Sequence, residues 1–376
     1  MFLSASIILF ATACQKNIEG DALSRDVASE AKGGNGLPGR IYTLSNESSG
    51  NHIIMFSRST NGTLTWEAAI ATGGVGTGTG LGSQGAITLS QDNKYIIAVN
   101  AGSNSISSFT VSPSGLSWAS TVASGGIMPI SVTIHKNIVY ALNAGADNNI
   151  SGFTISADGK LWPLTGSTRP LSAMSAGPAQ VSFTENGNAI VITEKMTNKI
   201  TTYTIESDGT PGAIHTLTSA NATPFGFAVG KMGMIYVSEA AGGAPGASTV
   251  SSYQVQDDGS IHLLNGPVSA GQTAACWVVA VNNGKYIYAT NTGSGNISSF
   301  KAGNDGSLDV LQAAGGVTGM GSSPIDAALS NNSKYLYALL AGTKSIAAFE
   351  IHSDGSLEWI QNSAGLPDGS VGLAAK

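Results

Sequence analysis

The sequence is short of charge. Only 11% of its 376 residues are Asp, Glu, Lys or Arg, the net charge is −6, and lysine and arginine nowhere cluster. Nucleic-acid binding needs cations in number to neutralise phosphates, so that partner is excluded. Two cysteines, Cys14 and Cys276, are too few for the framework of a disulfide-stapled fold. No set of His, Asp or Glu has metal-ligand spacing, so neither a metal nor a cofactor is expected. Long apolar runs are missing beyond residues 2–13, and no stretch carries a sustained helical period. What abounds is Gly, 49 residues of it, with Ser, Thr and Asn. That is the composition of many short strands joined by tight turns.

Residues 1–13 read as a signal peptide, an apolar run too short to span a bilayer. It ends in Ala11-Thr12-Ala13-Cys14, small residues before a cysteine as in a bacterial lipoprotein processing box, which makes Cys14 the lipidation residue. An ordinary secretory signal with an incidental cysteine is the other reading. Residues 14–39 mix charges with Gly33, Gly34 and Gly36 and show no strand alternation, so they read as a flexible tether. As a coil it would span on the order of 25–30 Å. The chain is expected to be exported, attached to the membrane through the N-terminal lipid only, and monomeric.

An internal repeat organises the remainder. Turn glycines fall at Gly62, Gly115, Gly159, Gly209, Gly259, Gly306 and Gly355, each after Asn, Ser or Asp. The mean spacing is about 49 residues, in the range of propeller blades and solenoids. Asn-Gly and Asp-Gly predict two-residue hairpins with both central residues at positive φ. Before each turn an alternating strand ends in an aromatic: Phe56, Phe109, Phe153, Tyr203, Tyr253, Phe300 and Phe349. Before that, an apolar strand closes on a polar residue, Asn46, Asn100, Asn143, Glu194, Glu239 or Asn291, with Leu340 in the seventh unit. A further strand leads each unit, opened in four of them by Pro129, Pro178, Pro224 and Pro324. At the first residue of a strand proline loses no ladder bond. After the turn, Trp66, Trp118, Trp162 and Trp359 share one register on a fourth strand and read as blade packing.

Four strands in seven units predict an all-β, seven-bladed β-propeller with four-stranded blades over residues 40–376. The first unit begins at Ile41 with the strand that is second elsewhere. Residues 369–375 are similar to the opening stretch 323–329. The C-terminal strand is therefore expected to complete blade 1 and close the ring, removing two sheet edges.

With the repeat in place, residues 40–376 resemble the bacterial seven-bladed lactonase-type propellers, the family of 6-phosphogluconolactonase and carboxymuconate-cyclising enzymes. Further strings are similar to a secreted branch of that family: Thr193-Glu194-Lys195, Pro224-Phe225-Gly226-Phe227, Ser238-Glu239-Ala240, Thr273-Ala274-Ala275-Cys276-Trp277 and Thr290-Asn291-Thr292-Gly293. The resemblance implies the fold and lactone-directed chemistry. The enzymatic members also carry histidine and arginine near the start of inner strands, in a Gly-Pro-His-like setting. Here the string reads Gly177-Pro178-Ala179-Gln180, so the activity must be argued from the site itself.

Deviations from the repeat supply the candidates. Glu194 and Glu239 occupy equivalent positions on neighbouring blades, where paired carboxylates could divide acid and base roles. Lys195 beside them could stabilise an oxyanion during lactone opening. The plainer reading is a polar loop end, with Glu194 paired to Lys195 or Lys199. Asn100, Asn143, Asn291 and Gln180 form the candidate ligand-binding set, with Phe225 and Trp277 as apolar walls of a mouth near the axis. Two functions follow: an exported propeller binding a small molecule or protein at its face without chemistry, or a lactone hydrolase using Glu194 and Glu239.

Overall fold

The computed structural model describes residues 38–376, so the expected signal peptide, the expected lipidation residue Cys14 and almost all of the expected tether lie outside the described residues. Seven antiparallel sheets stand in a ring, and in six of them the strands follow chain order from axis to rim. Blade 2 runs Ile87–Leu89, Tyr95–Asn100, Ser105–Ser112 and Gly115–Ala123, and the other blades repeat the pattern. Pro129, Pro178, Pro224 and Pro324 each open an inner strand, as expected. Blade 1 is the composite one. Its second strand, Gly39–Leu44, starts two residues earlier than the sequence suggested, and Val371–Ala375 pairs with it as the innermost strand. Seven closed sheets leave the ring without a terminal blade.

The outer strand of blade 3 is broken into Leu161–Pro163 and Arg169–Pro170, because each proline lacks the N–H that a continuous ladder needs. The repeated turns also differ from the two-residue hairpins expected. Each turn glycine has positive φ, but the Asn or Asp before it does not. In six blades the glycine N–H bonds a carbonyl three residues back, as in Gly209 to Glu206 at 2.8 Å. The aspartate contributes its side chain instead: Asp208 Oδ1 accepts from Thr210 N at 2.9 Å and Thr210 Oγ1 at 2.7 Å. Four residues turn the chain, and only glycine occupies the left-handed region.

These glycines also fasten the ring. The carbonyl of each accepts a hydrogen bond from the preceding blade: Gly159 from Ser108, Gly209 from Tyr140, Gly259 from Thr202, Gly306 from Ser252, Gly355 from Tyr288 and Gly62 from Tyr337, at 2.5–3.0 Å. Blade 2 makes a tighter turn, and there Arg40 of blade 1 donates to the carbonyls of Ser112 and Pro113, both at 3.1 Å. Every blade boundary thus carries a polar lock at one repeated point.

The tryptophans correct the packing expectation. Trp66, Trp118, Trp162 and Trp359 are 45–61% exposed. In three of their blades the indole stands opposite the buried aromatic of the third strand, as Trp66 does opposite Phe56. Ile214, Leu263 and Val310 hold the same register in blades 4–6 and are exposed too. Wedge-shaped blades diverge toward the rim, so this register covers only the outermost end of the seam.

Candidate functional site

The polar positions that close the second strands face inward, into the protein. Asn100, Asn143, Glu194, Glu239 and Asn291 are at most 1% exposed. Asn100 donates to Ser105 and Ser107 of the third strand and accepts from Asn51 and Thr72 of blade 1. Asn143 donates to Asn149 Oδ1 and the carbonyl of Ser124, and Asn291 to Asn296 Oδ1 and Ser298 Oγ. Each fastens the third strand, and several reach the loop that arrives from the preceding blade. In blade 1 the ladder places Ser45 opposite His52, as it places Asn100 opposite Ser105. Asn46, matched to this set by sequence, lies one residue further along. It holds Thr77, Thr79 and Gly369 instead.

Glu194 and Glu239 belong to the same scheme with the hydrogen-bond direction reversed. Glu239 accepts from Ser219 at 3.0 Å, Thr249 at 2.5 Å, Ser251 at 2.8 Å and Tyr253 at 2.9 Å. Glu194 accepts from Thr197 at 2.6 Å, Thr201 at 2.7 Å, and both the amide and the hydroxyl of Ser172. Where the shell offers donors alone a carboxylate fits; where it contains a carbonyl, an asparagine does. Burial still raises the Glu239 pKa, against the opposing effect of its four hydroxyl donors. Among the described residues no ion pair joins Glu194 to Lys195 or Lys199, and no hydrogen bond joins the two glutamates.

Lys195 and Trp277, with Phe225 packed against both, do converge, but on a segment of the chain itself, whereas Gln180 bonds the main chain of Phe227. Residues 72–86 connect blade 1 to blade 2, and residues 82–85 lie across the axis as a crossbar. Lys195 Nζ donates to Gly82 O at 2.5 Å, and Trp277 Nε1 to Ser83 O at 3.0 Å. Gln84 N donates to Ala179 O at 3.1 Å. The Gln84 side chain bonds both N and O of Val278, at 3.3 and 3.2 Å, as a strand would. Val278 belongs to blade 6 and Gln84 leads into blade 2, three places away around the ring, so this link must pass near the axis. Phe225 and Trp277 pack at 5.0 Å between ring centres and are 3% and 2% exposed. The Lys195 ammonium lies 4.6 Å from the Phe225 ring centre. Its pKa is lowered to about 8 by desolvation. The expected apolar mouth is therefore filled by Gly82, Ser83 and Gln84.

Beside the crossbar is a well of about 260 Å³, lined by the inner strands of blades 1, 2, 3, 4 and 7. Asp326, 2% exposed, is its only charged lining residue. Oδ1 accepts from Ala327 N at 2.8 Å. The amides of Gly85 and Leu373 face the carboxyl without a hydrogen bond of good geometry, and Oδ2 has no partner. Burial pushes the carboxyl pKa well up. The other polar lining side chains are engaged: Gln84 as above, Gln180 with both N and O of Phe227, Thr88 with Val132 O, Thr133 with Phe183 N and Ser182 with Phe183 O.

Sequence reasoning overlooked the crossbar and Asp326. The signals were present: a glycine-rich insertion ahead of blade 2, and a carboxylate in an inner strand otherwise built of small and apolar residues.

The lactonase family of 7-bladed beta-propellers matches the chain at residues 38–170 and 220–328. No curated protein matches. A Bacteroides uniformis protein put forward as a 6-phosphogluconolactonase is similar at TM-score 0.70 and 21% identity, over 91% of this chain and 100% of that one. The periplasmic gluconolactonase of Pseudomonas aeruginosa is similar at TM-score 0.69 and 15% identity, over 89% and 99%. At these identities the likeness speaks for the fold.

Proposed function

The chain belongs to the lactonase family of seven-bladed β-propellers, and within it we propose an exported, envelope-tethered binding propeller that holds a small molecule in its axial well without chemistry. The observation that carries this reading is the state of the two carboxylates. A hydrolytic base must offer a lone pair to a water. Glu194 and Glu239 are fully buried, and four donors occupy each. A carboxylate has about four lone-pair sites, so neither has one to give.

One observation favours hydrolysis. Lys195, drawn toward neutrality by burial, holds a carbonyl oxygen of the crossbar. A lactone carbonyl that displaced Gly82 would meet the same ammonium beside Phe225. The two readings separate in a lactone panel assayed with the purified protein as wild type, Glu194→Gln, Glu239→Gln and Lys195→Met. Absence of turnover on every lactone supports the binding module. Turnover that Lys195→Met abolishes, and both glutamine variants keep, would place chemistry at the mouth and overturn it.

A further inference from the structure

We propose that the rim of blades 7, 1 and 2 is a binding surface for a neutral, β-linked hexopyranose chain, its sugar rings stacked on three exposed indoles, Trp359, Trp66 and Trp118. This surface is separate from the axial well and goes beyond the binding reading above.

Tryptophan is highly buried on average, yet these three are 45%, 61% and 55% exposed. The fold does not require them. Each stands on the outer strand opposite a third-strand aromatic, Phe349, Phe56 or Phe109. In blades 4, 5 and 6 the same register holds Ile214, Leu263 and Val310. An aliphatic side chain therefore satisfies the packing at this point, and indoles on three consecutive blades exceed it. Trp162 of blade 3 stands out of this register, opposite Thr154, and is not one of the set.

Two of the rings are fastened at the edge. Trp118 Nε1 donates to Thr121 Oγ1 at 3.0 Å, and Thr121 Oγ1 donates to Thr72 O of the preceding blade at 2.7 Å. Trp359 Nε1 donates to Asn362 Oδ1 at 3.2 Å. In both, the partner lies three residues along the same strand, so the ring is laid along its strand with its N–H satisfied and about half its surface open to solvent. Such a ring is a platform ordered before anything binds, which lowers the entropy lost on association.

The chemistry around the platforms selects the occupant. The face of an indole is electron-rich, and a hexopyranose with equatorial hydroxyls presents polarised C–H bonds from both of its faces. Its hydroxyls project from the ring edge, where Thr65, Ser117 and Asn362 are exposed on the same strands as the indoles. Charge is nearly missing. On Leu64–Ala71, Gly115–Ala123 and Leu357–Ala364 the only charged residues are Glu67 and Glu358. Glu67 is paired with Arg40 at 2.8 Å and Glu358 with His352 at 3.1 Å. Arg40 is further occupied by the carbonyls of Ser112 and Pro113. An anionic lipid headgroup or a sulfated polysaccharide thus meets acidic side chains and no lysine. One like platform per blade, repeated by the ring itself, matches a polymer of like units whose weak contacts reinforce one another.

The test titrates the full-length protein with cellohexaose by calorimetry, with decaproline, heparin and phosphatidylcholine vesicles in separate titrations, and follows its retardation in native gels containing hydroxyethylcellulose. Saturable binding of cellohexaose is expected, weakened at least tenfold when Trp66→Ala, Trp118→Ala and Trp359→Ala are combined. The combined Trp→Tyr variant, which keeps a ring at each position, should retain most of it. Retardation by the polymer should fall with each indole removed. Should the alanine variant fail to fold, the wild type still decides, because saturating cellohexaose should shield its exposed indoles from acrylamide. No saturation at millimolar concentration, undiminished binding by the alanine variant, unshielded indoles, or binding of decaproline, heparin or vesicles in place of the sugar would each overturn the proposal. So would a dimer that the alanine substitutions dissociate. None of these results depends on lactone turnover or on the axial well, so the two readings fail separately.

Discussion

Replacing Leu373 by alanine tests ring closure where ordinary chain behaviour predicts the least effect. Leu373 is the fourth residue from the C-terminus. In a fraying end, truncating its side chain would cost a few tenths of a kcal/mol. In this fold it is 6% exposed, pairs with Thr43, and belongs to a cluster with Ile41, Ile325 and Trp277. Removing a buried leucine side chain costs about 2–5 kcal/mol, the larger values going with larger residual voids. Leu373 already borders the axial well, whose polar, open side lets water enter the vacated space, so little empty void remains and the loss falls at the lower end, about 2–3 kcal/mol. In a domain of this size each kcal/mol moves the melting temperature by about 2 °C, giving a fall of about 4–6 °C. Urea unfolding of wild type, Leu373→Ala and Leu336→Ala measures it, Leu336 being a fully buried reference in blade 7. A shifted midpoint at unchanged slope is expected for both variants. A loss under about 0.5 kcal/mol at Leu373, beside the full cost at Leu336, would refute the closing role of this strand.

Alanine at Gly226 would place its Cβ 2.1 Å from Gln84 Oε1 and 2.5 Å from Cys276 O. The amide can swing away but the main chain cannot, so Gly226→Ala should lose about 1–3 kcal/mol in thermal denaturation; an unaltered melting temperature argues against a crossbar packed on blade 5. Four of the five tryptophans are exposed, and Trp277 alone is buried. Trp277→Phe should therefore remove the blue-shifted, acrylamide-resistant part of the fluorescence, and its survival would contradict the placement. Burial raises the Asp326 pKa, so the folded state binds this proton more tightly than the unfolded chain. That contribution is complete below the unfolded carboxylate range, near pH 4, and is lost as pH rises through the raised value. The stability of wild type minus that of Asp326→Asn should accordingly decline from pH 4 upward, and a flat difference would dismiss the effect.

Fold and site were unequally legible. The glycine turns, the third-strand aromatics and the leading prolines recur because every blade solves the same packing problem, and their period made the ring and its closing strand readable. Glu194 and Glu239 stood out by the same comparison, yet what distinguishes them is a shell containing only donors. That shell is completed by Ser172 and Ser219, which arrive from the preceding blade, 20 or more residues from the glutamate each one holds. The crossbar escaped notice because its partners Lys195, Ala179, Trp277 and Val278 lie on blades 4 and 6, far from residue 84 in sequence. Asp326 was hidden inside the stretch used to recognise the closing strand. There its likeness to residues 369–375 drew attention to pattern, while its charge went unread.

The composite first blade also determines how the molecule would bear a load. Gly39 and Lys376 meet at the same end of one sheet, where Lys376 N donates to Arg40 O at 2.8 Å and Arg58 Nη2 to Lys376 O at 3.0 Å. A pull applied through the chain before residue 38 enters on a strand with a hydrogen-bonded neighbour on each side. It cannot peel an edge bond by bond. Two ladders must slide at once, so a propeller held from its N-terminal side resists extension in shear, its strongest direction.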